Sequence, residues 1–153
     1  MSRRLLSVLI PACVALVVGT LAYTASATVP TNKLYAMMNG AQEVPGPGDA
    51  NANGAAIFTV KPATNQVCVN VRFARVDGTL SGFHIHDGPR GTPGPIVVDL
   101  TSVLSTGGNG CATTTAATIT ALRNNPRRFY CNVHSTPAFG AGAIRSQLFD
   151  SDI

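Results

Sequence analysis

The stretch Val67-Cys68-Val69-Asn70-Val71-Arg72-Phe73 alternates apolar and polar side chains. Successive side chains of a β-strand point to opposite faces, so this period of two predicts a strand with one dry face and one wet face. Residues 54–60 form a second strand candidate, and the intervening segment 61–65 has a length that suits a hairpin. This part of the chain is therefore predicted to be antiparallel β-structure.

Further short strands are predicted along the rest of the chain, separated by turns rich in Gly and Pro. They cover residues 34–38, 82–86, 95–100, 129–134 and 143–148. One segment, 115–125, favours a short helix, because Ala116, Ile119 and Leu122 are spaced three apart and Pro126 follows. Many short strands with almost no helix indicate an all-β antiparallel sandwich or barrel with one short helix.

The first 27 residues have the pattern of a secretory signal peptide. Arg3 and Arg4 precede a mostly apolar run, and Ala25-Ser26-Ala27 offers a small-x-small cleavage site. We expect a single domain, residues 28–153, secreted as an extracellular monomer. No later segment approaches the roughly 20 apolar residues of a membrane span, so no membrane insertion is expected after cleavage.

The charge of the chain gives little reason to expect a nucleic acid partner. The formal net charge is +4, and removal of Arg3 and Arg4 with the signal leaves +4 − 2 = +2. An excess this small does not create the basic surface that nucleic acid or an anionic membrane requires.

Three of the 4 cysteines lie beyond the signal: Cys68, Cys111 and Cys131. Export permits a disulfide, and an odd count leaves one thiol over. Cys68 is predicted on the wetter face of its strand, whereas Cys131 shares the apolar face of its strand with Phe129 and Val133. We therefore predict that Cys68 pairs with Cys111, which sits in the Gly-rich loop of residues 107–110, and that Cys131 is a buried free thiol.

The 3 histidines are His84, His86 and His134. Within a strand, residues two apart share a face at a separation of about 7 Å, so His84 and His86 point the same way. His134 ends the predicted strand 129–134, and the three imidazoles converge if the two strands are neighbours. A metal ion would then bind all three, whereas the alternative is structural histidines with satisfied hydrogen bonds.

Three motifs in order resemble the CHRD domain family. They are Asn39-Gly40-Ala41-Gln42-Glu43-Val44-Pro45; His84-Ile85-His86 with Pro95-Ile96-Val97-Val98-Asp99-Leu100; and Asn132-Val133-His134 with Gly142-Ala143-Ile144-Arg145-Ser146-Gln147-Leu148. The resemblance covers nearly all of residues 28–153. It implies an extracellular domain of the type found in animal regulators of growth-factor signalling and, as a single secreted domain, in bacteria.

A more distant resemblance is to copper/zinc superoxide dismutases. Leu80-Ser81-Gly82-Phe83-His84-Ile85-His86 is similar to their strand with two copper histidines, Val133-His134 to a later ligand strand, and Gly142-Ala143-Ile144-Arg145 to the segment with their substrate-guiding arginine. It implies a Greek-key barrel with copper on His84, His86 and His134. Arg145 would then be a catalytic residue near an open coordination position. Residues 87–94 contain no histidine after His86, so the bridging ligand and the zinc half are absent, and a bimetallic dismutase is not expected.

Several side chains near these histidines are candidates for a role at the site. Arg145 either attracts a small anion or pairs with Asp87 or Asp99 at a strand end. Asp87 is a candidate to orient His86, and Asn132 shares a face with His134. The sulfurs of Met37 and Met38 suit Cu(I), although methionine beside a strand more often fills the core.

Two functional hypotheses follow. The first is a secreted domain that binds copper, with zinc as the competitor, through three histidines, with redox activity as an open question. The second is a non-enzymatic extracellular module that contacts a protein partner and uses its histidines for packing; it permits them to point apart and predicts an exposed apolar patch. Copper binding is the first hypothesis. Enzymatic activity is less expected than a non-enzymatic role, and an enzyme would be a copper-dependent oxidoreductase of the superoxide dismutase-like type.

Overall fold

A computed structural model describes residues 32–151 of the chain. The predicted signal peptide, residues 1–27, lies outside this range. No helix within 32–151 has the length and apolar character needed to cross a membrane.

The described chain folds into eight β-strands and one α-helix. The strands are β1 Lys33–Asn39, β2 Asn53–Lys61, β3 Gln66–Ala74, β4 Thr79–Asp87, β5 Ile96–Asp99, β6 Asn109–Thr113, β7 Phe129–Thr136 and β8 Phe139–Gln147, and the helix is α1 Ala116–Asn124. Short 3₁₀ turns occupy Gly40–Gln42, Pro62–Thr64, Thr101–Thr106 and Pro126–Arg128.

All eight strands belong to one antiparallel sheet in the order β5-β4-β7-β8-β1-β2-β3-β6. Three pairings join strands that are not consecutive in the chain, as expected of a Greek-key arrangement: β1 with β8, β3 with β6, and β4 with β7. The two edge strands approach each other, since the Thr114 hydroxyl donates to the Val97 carbonyl at 2.7 Å just beyond β6. The sheet is therefore a nearly closed barrel, which confirms the predicted fold class.

The core fills the inside of this barrel with the apolar residues of the strand alternation. Its members include Leu34, Ala36 and Met38 of β1, Phe58 and Val60 of β2, Val67, Val69 and Val71 of β3, Phe83 and Ile85 of β4, and Cys131 and Val133 of β7. Ile119 and Leu122 add the apolar side of α1 to the same cluster. Because a period of two fixes which face is buried, every polar residue between these positions must lie on the outside of the barrel.

The predicted hairpin, helix and disulfide are confirmed. β2 pairs with β3 in register from Asn53 opposite Ala74 to Lys61 opposite Gln66. Thr115 caps α1 by accepting a hydrogen bond from the Thr118 amide at 3.1 Å. Cys68 is bonded to Cys111.

The prediction for Cys131 is confirmed, whereas the predicted surroundings of Cys111 are wrong. Cys131 is free and buried, as expected. Cys111, however, lies in a strand, β6, where a glycine-rich loop was expected to continue. The loop ends earlier, because Gly107 and Gly108 with positive φ make the turn and Asn109 already pairs with Asn70.

Candidate metal centre

The three histidines lie on the outer face of the barrel, on two neighbouring strands. β4 pairs with β7 so that Asn132 lies opposite His84, Tyr130 opposite His86, and His134 opposite Gly82. Glycine at position 82 leaves room for the rings, since a Cβ there would lie 2.8 Å from His84 Cε1 and 3.2 Å from His134 Cδ2. The strand register thus brings together the three histidines that the sequence predicts as ligands.

The imidazoles are close enough to share one ion. Each offers one ligand nitrogen, and the three nitrogens lie within 4.8 Å of one another. The ring centroids of His84 and His86 are 5.6 Å apart, and those of His84 and His134 are 5.1 Å apart. A metal bonded to each nitrogen at about 2.0–2.1 Å requires separations of at most about 4.2 Å, so a closure of roughly 0.6 Å or less is sufficient.

Each imidazole has one nitrogen held by an oxygen and one buried nitrogen with no hydrogen-bond partner among residues 32–151. His86 Nδ1 lies 2.8 Å from the Gly94 carbonyl, and His134 Nδ1 lies 3.0 Å from the Gly140 carbonyl. The unpartnered nitrogens are Nδ1 of His84 and Nε2 of His86 and His134. A carbonyl oxygen only accepts, so Nδ1 of His86 and His134 must carry the proton, and their Nε2 lone pairs are free.

His84 is oriented by a hydroxyl instead. Its Nε2 lies 3.2 Å from Thr101 Oγ1 and 3.7 Å from Asp99 Oδ1. The Thr101 hydroxyl and amide both hydrogen-bond Asp99 and hold the pKa of its carboxyl below the usual value. Since Nε2 of His84 is engaged by the Thr101 hydroxyl, Nδ1 is the nitrogen of this ring without a hydrogen-bond partner among residues 32–151.

The protonation state of two ligands favours metal binding near neutral pH. Burial lowers the pKa of His84, repulsion from His134 adds to this, and Asp99 acts in the opposite direction. Burial also lowers the pKa of His86, against the hydrogen bond to Gly94. Burial therefore favours the neutral form of both imidazoles, which is the form that a metal needs.

The segment between β4 and β5, residues 88–95, covers this face and holds His86. Tyr130 stacks on the His86 ring at a centroid distance of 4.7 Å and an interplanar angle of 5°, and its hydroxyl accepts from the Gly94 amide at 3.2 Å. On β8, Gln147 donates to the Gly88 carbonyl at 2.7 Å. Gly94 itself approaches too closely for any side chain, since a Cβ would lie 1.8 Å from the Asp87 carbonyl oxygen.

Arg145 also holds segment 88–95. It is not exposed, as its predicted role of attracting a small anion would require. It is 2% exposed, its Nη2 donates to the carbonyls of Thr92 at 2.9 Å and Pro89 at 3.2 Å, and its Cζ lies 3.4 Å from the Tyr130 ring centroid. The other reading, an ion pair with Asp87 or Asp99, is wrong. Arg145 clamps the segment 88–95, and its charge contributes to lowering the pKa of His86.

Asp87 also differs from its predicted role. Its carboxylate is bound bidentately by Arg128 at 2.6 Å and 2.6 Å, and the Gly94 carbonyl takes the expected position beside His86. Asp87 alternates with His86 along β4 and faces the other way. The pairing lowers the pKa of Asp87.

Asn132 and Glu43 lie behind the histidines. Asn132 is 4% exposed, lies opposite His84 in the pairing of β4 with β7, and has a buried Oδ1 without a hydrogen-bond partner among residues 32–151. Glu43, 5% exposed, was not among the sequence candidates. Burial raises the pKa of its carboxyl to about 7, although the positive charge of Arg145 opposes this shift.

The two methionines considered as sulfur ligands differ in their exposure to solvent. Met38 is a core residue, 2% exposed, whereas Met37 is 62% exposed on the outer face of β1. Among the His, Cys, Asp and Glu side chains of residues 32–151, the candidate ligand cluster consists of His84, His86 and His134.

A family model for the CHRD domain matches residues 34–148, about three quarters of the 153-residue chain. No curated protein and no solved structure matches the chain.

Proposed function

This chain belongs to the CHRD domain family, and we propose that it is an exported member that binds one copper ion through His84, His86 and His134. One observation carries the proposal: in each imidazole, one nitrogen lies within hydrogen-bond distance of an oxygen, and the other is buried without a hydrogen-bond partner. An unpartnered buried acceptor costs about 1–3 kcal/mol, and three close together favour a common ligand.

The donor set favours a copper ion with zinc as the competitor. Imidazole suits both metals, and the described cluster offers three nitrogens without thiolate or carboxylate. Copper would supply a one-electron redox centre when bound. The contacts of Gly94, Gly140 and Thr101 fix the three rings, as outer partners of metal-bound histidines commonly do.

Access to the ion would be from the side of His84 and His134, which are partly exposed, because His86 is covered by segment 88–95. Asn132 and Glu43 are buried polar residues, at 4% and 5% exposure. Redox catalysis requires bound copper and a path by which a small molecule reaches the metal from the exposed side.

The test is metal content of the exported protein after exposure to Cu(II) and Zn(II), with elemental analysis and an electron paramagnetic resonance spectrum. We expect one equivalent of copper with nitrogen hyperfine structure, and its loss in a His84→Ala/His134→Ala double variant. Asn70→Ala, which changes an exposed polar residue on β3, is the matched control and should keep the ion. Absence of retained copper in the parent protein would refute the proposal.

Export itself is supported by the Cys68–Cys111 disulfide, which is stable in oxidising compartments. Expression with residues 1–27 in a secreting host should release a product whose N-terminal residue is Thr28. A product that keeps these residues and stays with the cells would contradict it.

A second candidate is contact with an extracellular protein partner. Met37 and Ile57 are 62% and 46% exposed and lie on the outer faces of the paired strands β1 and β2. Exposed apolar residues on neighbouring strands are a typical contact surface. This role does not need the histidines, so it predicts partner binding that survives the double histidine variant and is lost in Met37→Ser/Ile57→Ser.

A further inference from the structure

A cleft of about 160 Å³ lies between the turn after β1 and segment 88–95. Arg90 and Arg145 line it together with Gln42, Val44 and Gly91. None of the three histidines is among its lining residues. It is therefore a separate concavity with two guanidinium groups.

The positive charge in this cleft is poorly balanced. Nη2 of Arg145 is used by the segment carbonyls, but Nη1 is buried without a hydrogen-bond partner among residues 32–151. Within the same described range, Arg90 makes neither a hydrogen bond nor an ion pair. Glu43 faces Arg145, yet no ion pair forms between them and its Oε1 is unpartnered.

A buried cation with an unused N–H is costly unless an anion or acceptor completes it. Glu43 compensates only in part, because burial raises the pKa of its carboxyl to about 7 and a large fraction is neutral at that pH. Burial lowers the pKa of Arg145, and repulsion from the Arg90 guanidinium acts in the same direction. An oxyanion between them would relieve both costs and match the fork geometry of guanidinium donors.

A larger groove of about 850 Å³ continues from the cleft and shares Ala41, Gln42, Arg90 and Gln147 with it. It adds Arg127 and an apolar wall from Met37, Leu148 and Phe149. No Asp or Glu lines either concavity. The combined surface is thus cationic at one end and apolar along its length.

We propose that this surface binds a small organic oxyanion, with the acidic head between Arg90 and Arg145 and an apolar body along Met37 and Phe149. The head group is a phosphate, sulfate or carboxylate, since all three accept paired guanidinium hydrogen bonds. The site is independent of the metal centre and does not rest on copper binding.

The test is a titration of the metal-free protein at constant ionic strength, followed by amide resonances of Ala41 and Gly91. The probes are inorganic phosphate, phenyl phosphate and benzoate, with sodium chloride as the screening control. We expect saturable shifts that chloride does not reproduce, and several-fold tighter binding of phenyl phosphate than of inorganic phosphate. The ratio of benzoate to phenyl phosphate affinity tells which head group the cleft prefers.

Three variants make the result specific. Arg90→Gln should weaken phenyl phosphate binding about tenfold or more, whereas Arg75→Gln, which removes the same charge from an exposed turn, should leave it within twofold. Met37→Ser should remove the advantage of phenyl phosphate over phosphate without changing phosphate binding. Equal affinities in Arg90→Gln and Arg75→Gln, or shifts that appear only after copper is added, would overturn the proposal.

Discussion

Alanine at position 82 should weaken the proposed copper site without lowering the stability of the barrel. Gly82 lies under the rings of His84 and His134 and belongs to β4, where its φ is not in the left-handed region. Alanine therefore meets no backbone strain there, and a strand usually gains from the exchange of glycine for alanine. The substitution acts on the histidines alone.

The size of the effect on copper affinity follows from the contact of the new Cβ with the His84 ring. The new Cβ would lie 2.8 Å from His84 Cε1, and ordinary contacts begin at 3.4 Å, so the ring must move by 3.4 − 2.8 = 0.6 Å. Metal–ligand distances tolerate about 0.2 Å. We expect copper affinity to fall by roughly 10–100-fold, as for other losses of ligand orientation, with an unfolding free energy within about 1 kcal/mol of the parent.

The assay is competition for copper with a chromophoric chelator, beside urea unfolding of the metal-free protein. Gly140→Ala is the matched control, because no atom lies within 4 Å of its Cβ position and its carbonyl still accepts from His134. In the metal-free Gly82→Ala protein, the ring resonances of His84 should shift more than those of His86. Copper affinity in Gly82→Ala within threefold of that in Gly140→Ala would refute the assignment of these rings as ligands.

Three further predictions test the surroundings of the site and the fold. Thr101→Val removes the oxygen that holds His84 Nε2, so copper affinity should fall about tenfold, and unchanged affinity would contradict that orienting role. Glu43 has a folded-state pKa of about 7 against 4.5 for the free side chain, so the unfolded chain ionises first and stability falls as pH rises from 4.5 to 7. Relative to Glu43→Gln, the metal-free parent should lose up to about 3 kcal/mol of unfolding free energy over that range, and parallel pH profiles would contradict it. The Cys68–Cys111 bond joins residues 43 positions apart; replacing both by serine should cost about 4 kcal/mol in urea unfolding, and a loss below about 1 kcal/mol would show that the bridge does not restrict the unfolded chain.

The alternation of apolar residues made most of the barrel predictable, and its absence explains what was missed. Phe83, Ile85 and Val133 mark the buried faces of β4 and β7, and they place the histidines on the opposite face without further information. β6 lacks this pattern, because its residues are Asn109-Gly110-Cys111-Ala112-Thr113 and its pairing depends on the partner strand β3. Local sequence does not encode a strand that tertiary pairing creates.

The partners of the histidines were less accessible to sequence reasoning. Gly94 and Gly140 act through their carbonyls, which every residue has, so side-chain type carries no signal. Glu43 reaches the site because the turn after β1 folds onto β8, with the Asp49 amide donating to the Ala143 carbonyl at 2.8 Å. Asp87 was the plausible acidic neighbour of His86, but the strand period turns it away.

The arrangement explains why the outer face of a small barrel can hold a buried site. Strands β4, β7 and β8 are apolar inside and polar outside, and an uncovered outer face would be satisfied by water. Here segment 88–95 covers part of it, and the segment is fixed by Arg145, Gln147 and Tyr130 through contacts that require no metal. The histidine rings are therefore oriented before any ion binds, and the polar atoms that the cover leaves unpartnered are the ones available to a ligand.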